Sequence, residues 1–402
     1  MTIEVDSRQD RTSIPVGAPR RRASKVDSLR HAYGFDDVSL APGTRTVEPA
    51  DVDTSVELAG LALEIPVLAA SMDAVVDVRS AGELARLGGL AVMNLEGVQM
   101  RYEDPAPVLA RIAGAPREEA QEVLSAAYEP PISEDVVAAR IDELHAVGSP
   151  AVISATPAAA RRWGPFCAEH GADAFLVQSQ VSSAQHLASG YEPLELGEFS
   201  ALMGIPVAAG NTTSYEAALA LMGQGIAAIF VGVGPGAACT TREVLVIGVP
   251  QVTAISDVAA ARDEHYERTG RYVPVVGDGG MRRGGEMAKA IAAGADALML
   301  GSPLARAEEA PGHGTNWGMA APSPTLPRGT RIEVGPVGSM ERLLFGPPRV
   351  PDGSAHLAGA LRQSLAALGA RDIREMQQVE MDYAPAVAVE GKSWQQRRQD
   401  RE

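Results

Sequence analysis

The chain has 402 residues, 46% hydrophobic content with only 4% aromatics, and a formal net charge of −16. That length accommodates one large α/β barrel or two ordinary domains, with a core of Ala, Val and Leu. The charge excludes nucleic acid and anionic membranes as general partners. No apolar run approaches membrane-spanning length and no signal peptide opens the chain, which predicts a cytoplasmic protein. The two cysteines, Cys167 and Cys239, give no disulfide framework.

Residues 1–30 are polar and Arg-rich, including Arg20, Arg21 and Arg22, and lack periodicity. They predict a flexible tail. The ordered part opens at Tyr33-Gly-Phe-Asp-Asp-Val-Ser-Leu, a structural brace whose acids make local hydrogen bonds. Short apolar runs follow at Ile65–Ala70, Leu90–Asn94, Ala151–Ala155, Ala174–Gln178, Pro206–Ala209, Ala228–Val231, Val273–Gly277 and Ala297–Leu300. Helical patterns separate them, among them Ser80–Leu87, Tyr215–Met222, Asp257–Arg268 and Gly285–Ala293. Another, Ala158–His170, carries Cys167 as inert packing. Eight strands alternating with helices predict a (β/α)8 TIM barrel over residues 31–383, followed by a polar tail, 384–402. An open doubly wound sheet is the alternative. Closure is favoured because the chemistry-bearing residues fall just after strands, at the active face of a barrel.

The richest such stretch follows the sixth run. Gly232, Gly234, Pro235 and Gly236 punctuate a loop able to take positive φ, and Cys239, Thr240, Thr241 and Arg242 stand directly behind them. A thiol on a tight turn beside hydroxyls and a guanidinium suits a nucleophile, because neighbouring positive charge favours the thiolate. After the seventh and eighth runs come Gly277-Asp278-Gly279-Gly280 and Gly301-Ser302. Glycines there let backbone N–H groups approach an anion, with a helix N-terminus adding its dipole.

The run Gly234-Pro235-Gly236-Ala237-Ala238-Cys239-Thr240-Thr241-Arg242, with Gly248-Val249-Pro250-Gln251 behind it, resembles the catalytic loop of the IMP dehydrogenase and GMP reductase family. The resemblance implies that Cys239 attacks C2 of a purine nucleoside 5′-monophosphate, with NAD(P) exchanging hydride there. It implies that Asp278 holds the ribose hydroxyls and that Gly279, Gly280, Gly301 and Ser302 hold the phosphate. Ala70-Ser71-Met72-Asp73 is similar to the family's nucleotide-contacting turn, which assigns Ser71 and Met72 to base and sugar. Ala209-Gly210-Asn211 matches a turn that sets Asn211 beside the reacting ring. The carbonyls of Gly234, Gly236 and Cys239 are implied as potassium ligands, and the assembly as a homotetramer. Three departures stand out: Ala237 replaces a phosphate-binding serine, and Asn316-Trp317-Gly318-Met319 replaces a phosphate-binding tyrosine. Val177-Gln178-Ser179-Gln180 replaces an acidic cofactor turn, leaving Gln178 and Ser179 as the cofactor contacts. Residues 98–148 are too few for the regulatory tandem module many IMP dehydrogenases insert there, so the chain resembles the short members without it.

The flap, about residues 303–340, bears on the reaction. IMP dehydrogenases use an Arg-Tyr pair there to activate water, yet no tyrosine occurs between Tyr272 and Tyr383. GMP reductases use a threonine two residues after the cysteine and a flap glutamate. Thr241 has that position, and Glu333 is the only acid from Ala310 to Met340. The favoured reaction is therefore reduction of GMP to IMP and ammonia, with Cys239, Thr241 and Glu333 catalytic. The alternatives are IMP oxidation, with Arg328 or Arg331 activating water, and a non-catalytic purine-nucleotide-binding regulator.

Overall fold

Parallel strands covered on both faces need apolar residues at nearly every position, and the eight runs supply them. The computed structural model describes residues 29–318, 331–349 and 351–385. Its barrel strands are β1 Val67–Ala69, β2 Leu90–Asn94, β3 Val152–Ala155, β4 Ala174–Gln178, β5 Val207–Thr212, β6 Ala228–Val231, β7 Val275–Asp278 and β8 Ala297–Leu300. All pair in parallel with their neighbours, and β8 returns to β1 through Leu298↔Val67 and Leu300↔Ala69. The sheet is a closed (β/α)8 barrel, which overturns the open-sheet alternative. Strands β5 and β7 run past their apolar stretches to Thr212 and Asp278, because backbone pairing continues where hydrophobicity stops.

Side chains alternate across each strand with period two. Leu68, Leu90, Val92, Val152, Ala174, Leu176, Ala208, Ala228, Phe230, Val276, Ala297 and Met299 form the barrel interior. The intervening positions, such as Met93, Phe175, Val177, Ile229 and Val231, pack outward against the helices. The hairpin Val56–Leu58 and Leu61–Leu63, turning at Ala59 (φ +51) and Gly60 (φ +80), adds Leu58 and Leu63 beneath the interior. Continuing the same parity upward places Asn94, Ser154, Gln178 and Asp278 in the next inward layer, at the strand ends.

Two supports reach that upper face. Val38–Leu40 pairs antiparallel with Met381–Tyr383, and Tyr33 exchanges backbone and side-chain bonds with Thr253. Asp37 accepts from the Gly34 amide at 2.7 Å, the local bond expected of this brace. The second support is the segment between β2 and β3, where helices Ala106–Gly114 and Ala120–Ala127 pack Leu109, Ile112 and Leu124 against Trp317. Arg331 donates to the carbonyls of Ile112, Ala113 and Ala115, capping the end of the first of these helices. Arg331 is thereby engaged in structure, which removes it as a free water activator. Arg328, residues 319–330 of the flap, and most of both tails lie outside the described residues.

The opposite end of the barrel is fastened by a buried ion pair. Asp296, just before β8, accepts from Arg262 Nη1 at 3.1 Å, Val275 N at 2.8 Å, Tyr272 Oη at 2.8 Å and Arg374 Nη1 at 2.8 Å. Removing one partner of a buried pair leaves an uncompensated charge, typically costing about 3–5 kcal/mol. Asp296→Ala should therefore lower the unfolding free energy by that amount, read as a fall in the urea midpoint. The folded fraction should keep its activity, because the residues expected to carry chemistry sit at the other end.

Candidate active site

Gln178 and Asp278 of the inward layer join Ser71 and Asn211 in a hydrogen-bonded polar crown. Ser71 Oγ donates to Gln178 Oε1 at 2.9 Å, and Gln178 Nε2 donates to Asn211 Oδ1 at 2.9 Å and Asp278 Oδ2 at 3.2 Å. Asn211 Nδ2 donates to the same Oδ2 at 2.7 Å. The structure thus brings together Ser71, from the turn after β1, with Gln178, Asn211 and Asp278 from β4, β5 and β7. Burial pushes the Asp278 carboxyl up to about 6, opposed by its bonds from Asn211 and Gln178. Both side-chain amides converge on Oδ2, so Oδ1 can still accept a hydroxyl.

The Cys239 loop packs against this crown. A Cβ on Gly279 (φ +80) would lie 3.2 Å from Pro235 Cγ and 3.3 Å from Gly236 N, and one on Gly280 (φ +82) 3.2 Å from Pro235 Cβ. Both positions need glycine for conformation and for this close approach. Cys239 is exposed, whereas Thr241 is buried beneath it, with Oγ1 3.2 Å from Sγ. Gln180 Nε2, from the turn after β4, donates to Thr241 Oγ1 at 2.8 Å. Arg242 is close enough to Cys239 for their charges to interact, as expected, but directs its hydrogen bonds elsewhere. Its Nε donates to Val233 O at 3.0 Å and its Nη2 to Val249 O at 2.7 Å, stapling the loop shut.

Several sequence expectations change here. The Gly279 amide donates to Met299 O at 3.2 Å, so Gly279 contributes conformation and not a free phosphate donor. The helix Gly284–Ala292 has no open N-terminus either, because the buried Glu286 carboxylate accepts from the Arg282 and Arg283 amides. A carboxylate there repels an anion, so of the expected phosphate contacts Gly280, Gly301 and Ser302 remain as candidates for the cradle. A Cβ on Gly301 would come 3.2 Å from Met72 Sδ, which puts Met72 beside that cradle. Asn316 Nδ2 donates to Ser302 Oγ at 2.9 Å, in the segment where the family's tyrosine was missed.

Gln178 belongs to the crown, and the Ser179 hydroxyl is held by Val181 O and Ser182 Oγ, each at 2.9 Å. Neither is therefore turned outward toward a cofactor. The two loops joined by the Gln180–Thr241 bond also expose the apolar residues Val181, Val244, Val246 and Ile247. Val246 holds φ +56, a strained value for a β-branched residue. The Gly236 carbonyl, one of the implied potassium ligands, accepts the Cys239 amide at 3.0 Å, which uses one of its two lone pairs. Glu333 is exposed on the short antiparallel pairing of Thr315–Asn316 with Ile332–Glu333. That pairing reaches the β8 loop through Asn316, while the Glu333 carboxylate stays outside the hydrogen-bonded set.

Sequence reasoning missed Gln180, Gln251 and Asn316. Gln251 is buried and its Nε2 donates to Val231 O at 2.8 Å and Asp278 O at 3.1 Å, joining β6 to β7. Cys167 is fully buried, and burial pushes its thiol up to about 12, which makes it inert. Among the described residues no helix is long and apolar enough to cross a membrane.

The arrangement has close parallels among known proteins. The profile of the IMP dehydrogenase / GMP reductase domain matches residues 32–319. An uncharacterized oxidoreductase of Mycolicibacterium smegmatis is 39% identical over 361 residues, covering 88% of this chain and 96% of that protein. The inosine-5′-monophosphate dehydrogenase of Methanocaldococcus jannaschii is 31% identical over 375 residues, covering 72% and 74% respectively. The crystal structure of an IMP dehydrogenase/GMP reductase-like protein from Corynebacterium glutamicum superposes with a TM-score of 0.83 at 34% identity, covering 89% of this chain and 95% of that one. With a domain match over most of its length and a relative of nearly its own size, the chain belongs to the IMP dehydrogenase / GMP reductase family of oxidoreductases.

Proposed function

We propose that the protein acts at C2 of a purine nucleoside 5′-monophosphate through a covalent bond to Cys239, and that its reaction is the reduction of GMP to IMP and ammonia. The observation that carries this reading is the contact of the Asp278 turn with the Cys239 loop at Gly279 and Pro235–Gly236. A ribose held by Asp278 and a base presented to the thiol need that proximity. In this scheme Asp278 Oδ1 accepts the ribose hydroxyls, while Gly280, Gly301 and Ser302 hold the phosphate. The Cys239 thiolate adds to C2, the C2–N bond breaks, and the amine leaves as ammonia after protonation. A bound nicotinamide cofactor, NADH or NADPH, supplies hydride to C2. Expulsion of the thiolate then releases IMP.

Two features favour GMP over IMP as substrate. Thr241 touches the thiol, and Arg331 is engaged by a helix end, which leaves the oxidative route without an identified water activator among the described residues. Glu333 is the candidate proton donor to the departing amine. Glu333→Gln should slow GMP turnover by about 10²–10⁴ with little change in GMP affinity, because the amide cannot exchange a proton. Parental activity in that variant would remove Glu333 from the mechanism.

The raised Asp278 carboxyl sets a pH signature. A diol donates to the carboxylate and not to the acid, so nucleoside affinity should rise with pH up to about 6 and level off above it. Below that value it should fall by at most about tenfold per pH unit. Calorimetry with guanosine reads this without interference from a phosphate, whose own second ionisation lies near pH 6. Asp278→Asn should bind weakly and without the pH dependence; an unchanged profile would contradict the ribose assignment. The reaction itself is tested by following reduced-nicotinamide absorbance with GMP and NADPH or NADH, then with IMP and NAD. Loss of absorbance with GMP supports the proposal. Gain with IMP alone would reverse the direction, and no change with either would favour a non-catalytic binding protein.

A further inference from the structure

We infer that Gln180 is a positioning residue that aims the Thr241 hydroxyl at Cys239. This rests on Cys239 being the nucleophile and goes beyond that reading by assigning a residue that sets its reactivity. Thr241 Oγ1 has one proton and two acceptor positions. The Gln180 amide donates to that oxygen at 2.8 Å, and Cys239 Sγ lies 3.2 Å from it. Gln180 offers an N–H at this contact and not an acceptor, so it cannot draw off the threonine proton. When the exposed thiol releases its proton to solvent, the Thr241 O–H is left to donate to the anionic sulfur. Thr241 is itself buried, so water does not replace Gln180 freely as its partner. No bond to carbon is made or broken in this step. The thiol proton goes to water and a hydrogen bond from Thr241 takes its place on sulfur.

The same geometry makes a distinct use of the turn after β4. The Ser179 and Ser182 side chains hold that turn together, and the Ser179 amide donates to Gly210 O at 2.8 Å. Gln180 is thus delivered from a braced loop to the base of the nucleophile, a short preorganised bond across two loops.

Alkylation of the ligand-free, full-length protein by iodoacetamide tests this, because the other cysteine is buried and the reaction needs no substrate or cofactor. Its outcome is therefore separate from that of the turnover assay. Thr241→Val should slow alkylation at neutral pH by about tenfold, the scale of one hydrogen bond to a charged group. Gln180→Leu should slow it by about threefold in the parent, yet have no effect in the Thr241→Val background, as expected for a residue acting only through another. Gln180→Glu, which offers an acceptor to the same hydroxyl, should slow the parent more than Gln180→Leu does. Its effect should shrink in the Thr241→Val background. Thr241→Ser should retain the parental rate. Equal slowing by Gln180→Leu in both backgrounds, or no slowing in the parent, would overturn the proposal. Should Gln180→Leu lower the melting temperature, the Gln180→Glu cycle decides alone: undiminished slowing without Thr241, or none with it, overturns the inference.

Discussion

The alternation of side chains along eight closed strands is the constraint on which the rest depends. It commits one residue in two to the barrel interior, and in a closed barrel those positions are out of reach of water. The lower interior accepts this with Leu68, Leu90, Val92, Leu176, Phe230 and Met299. At the strand ends the same parity delivers Gln178 and Asp278, which must satisfy one another or leave buried polar atoms unpaired. The Ser71–Gln178–Asn211–Asp278 crown does so. Its single carboxylate is the acceptor the proposed ribose site requires. A carboxylate in place of Gln178 would set two acids against each other there, whereas the neutral amide both donates and accepts.

Loops then convert that crown into a reactive site. Glycine at 279 and 280 lets the β7 turn meet Pro235 and Gly236, and Arg242 holds the cysteine loop by its own carbonyls. The proposed nucleophile therefore stands on a braced loop, with the nearby Arg242 guanidinium committed to that loop's carbonyls. Its local partner is a hydroxyl, Thr241, itself touched by Gln180. At the flap root, Trp317 and Arg331 rest on the two helices that follow β2. This stretch, too short for a regulatory module, has a packing role of its own.

Apolar runs made the eight strands legible, four of them to the residue, because a strand buried on both faces has no polar position to blur its limits. That Asn211 and Asp278 stand together at strand ends, and Cys239 and Thr241 on the loop after β6, was legible from the sequence pattern and the family resemblance. Hydrogen-bond commitments were not legible. That the Gly279 amide belongs to Met299 depends on backbone approach between segments distant in sequence, whereas the Glu286 cap three and four residues from the amides it accepts is a local capping pattern that went unread. Arg242 was legible as a charge near the thiol, but not as the donor that closes its own loop through the Val233 and Val249 carbonyls. Gln178 was read by its place in a cofactor turn, while strand parity, already present in the alternation of β4, points it inward.

The central claim is a covalent bond between Cys239 and the purine ring. Acid quenching during turnover with GMP and reduced cofactor, followed by mass spectrometry of the digested protein, reads it directly. The account predicts a purine-nucleotide mass increment on the peptide that contains Cys239, absent when that residue is replaced by serine. Turnover that proceeds with no adduct on Cys239, or that survives its replacement, would contradict it.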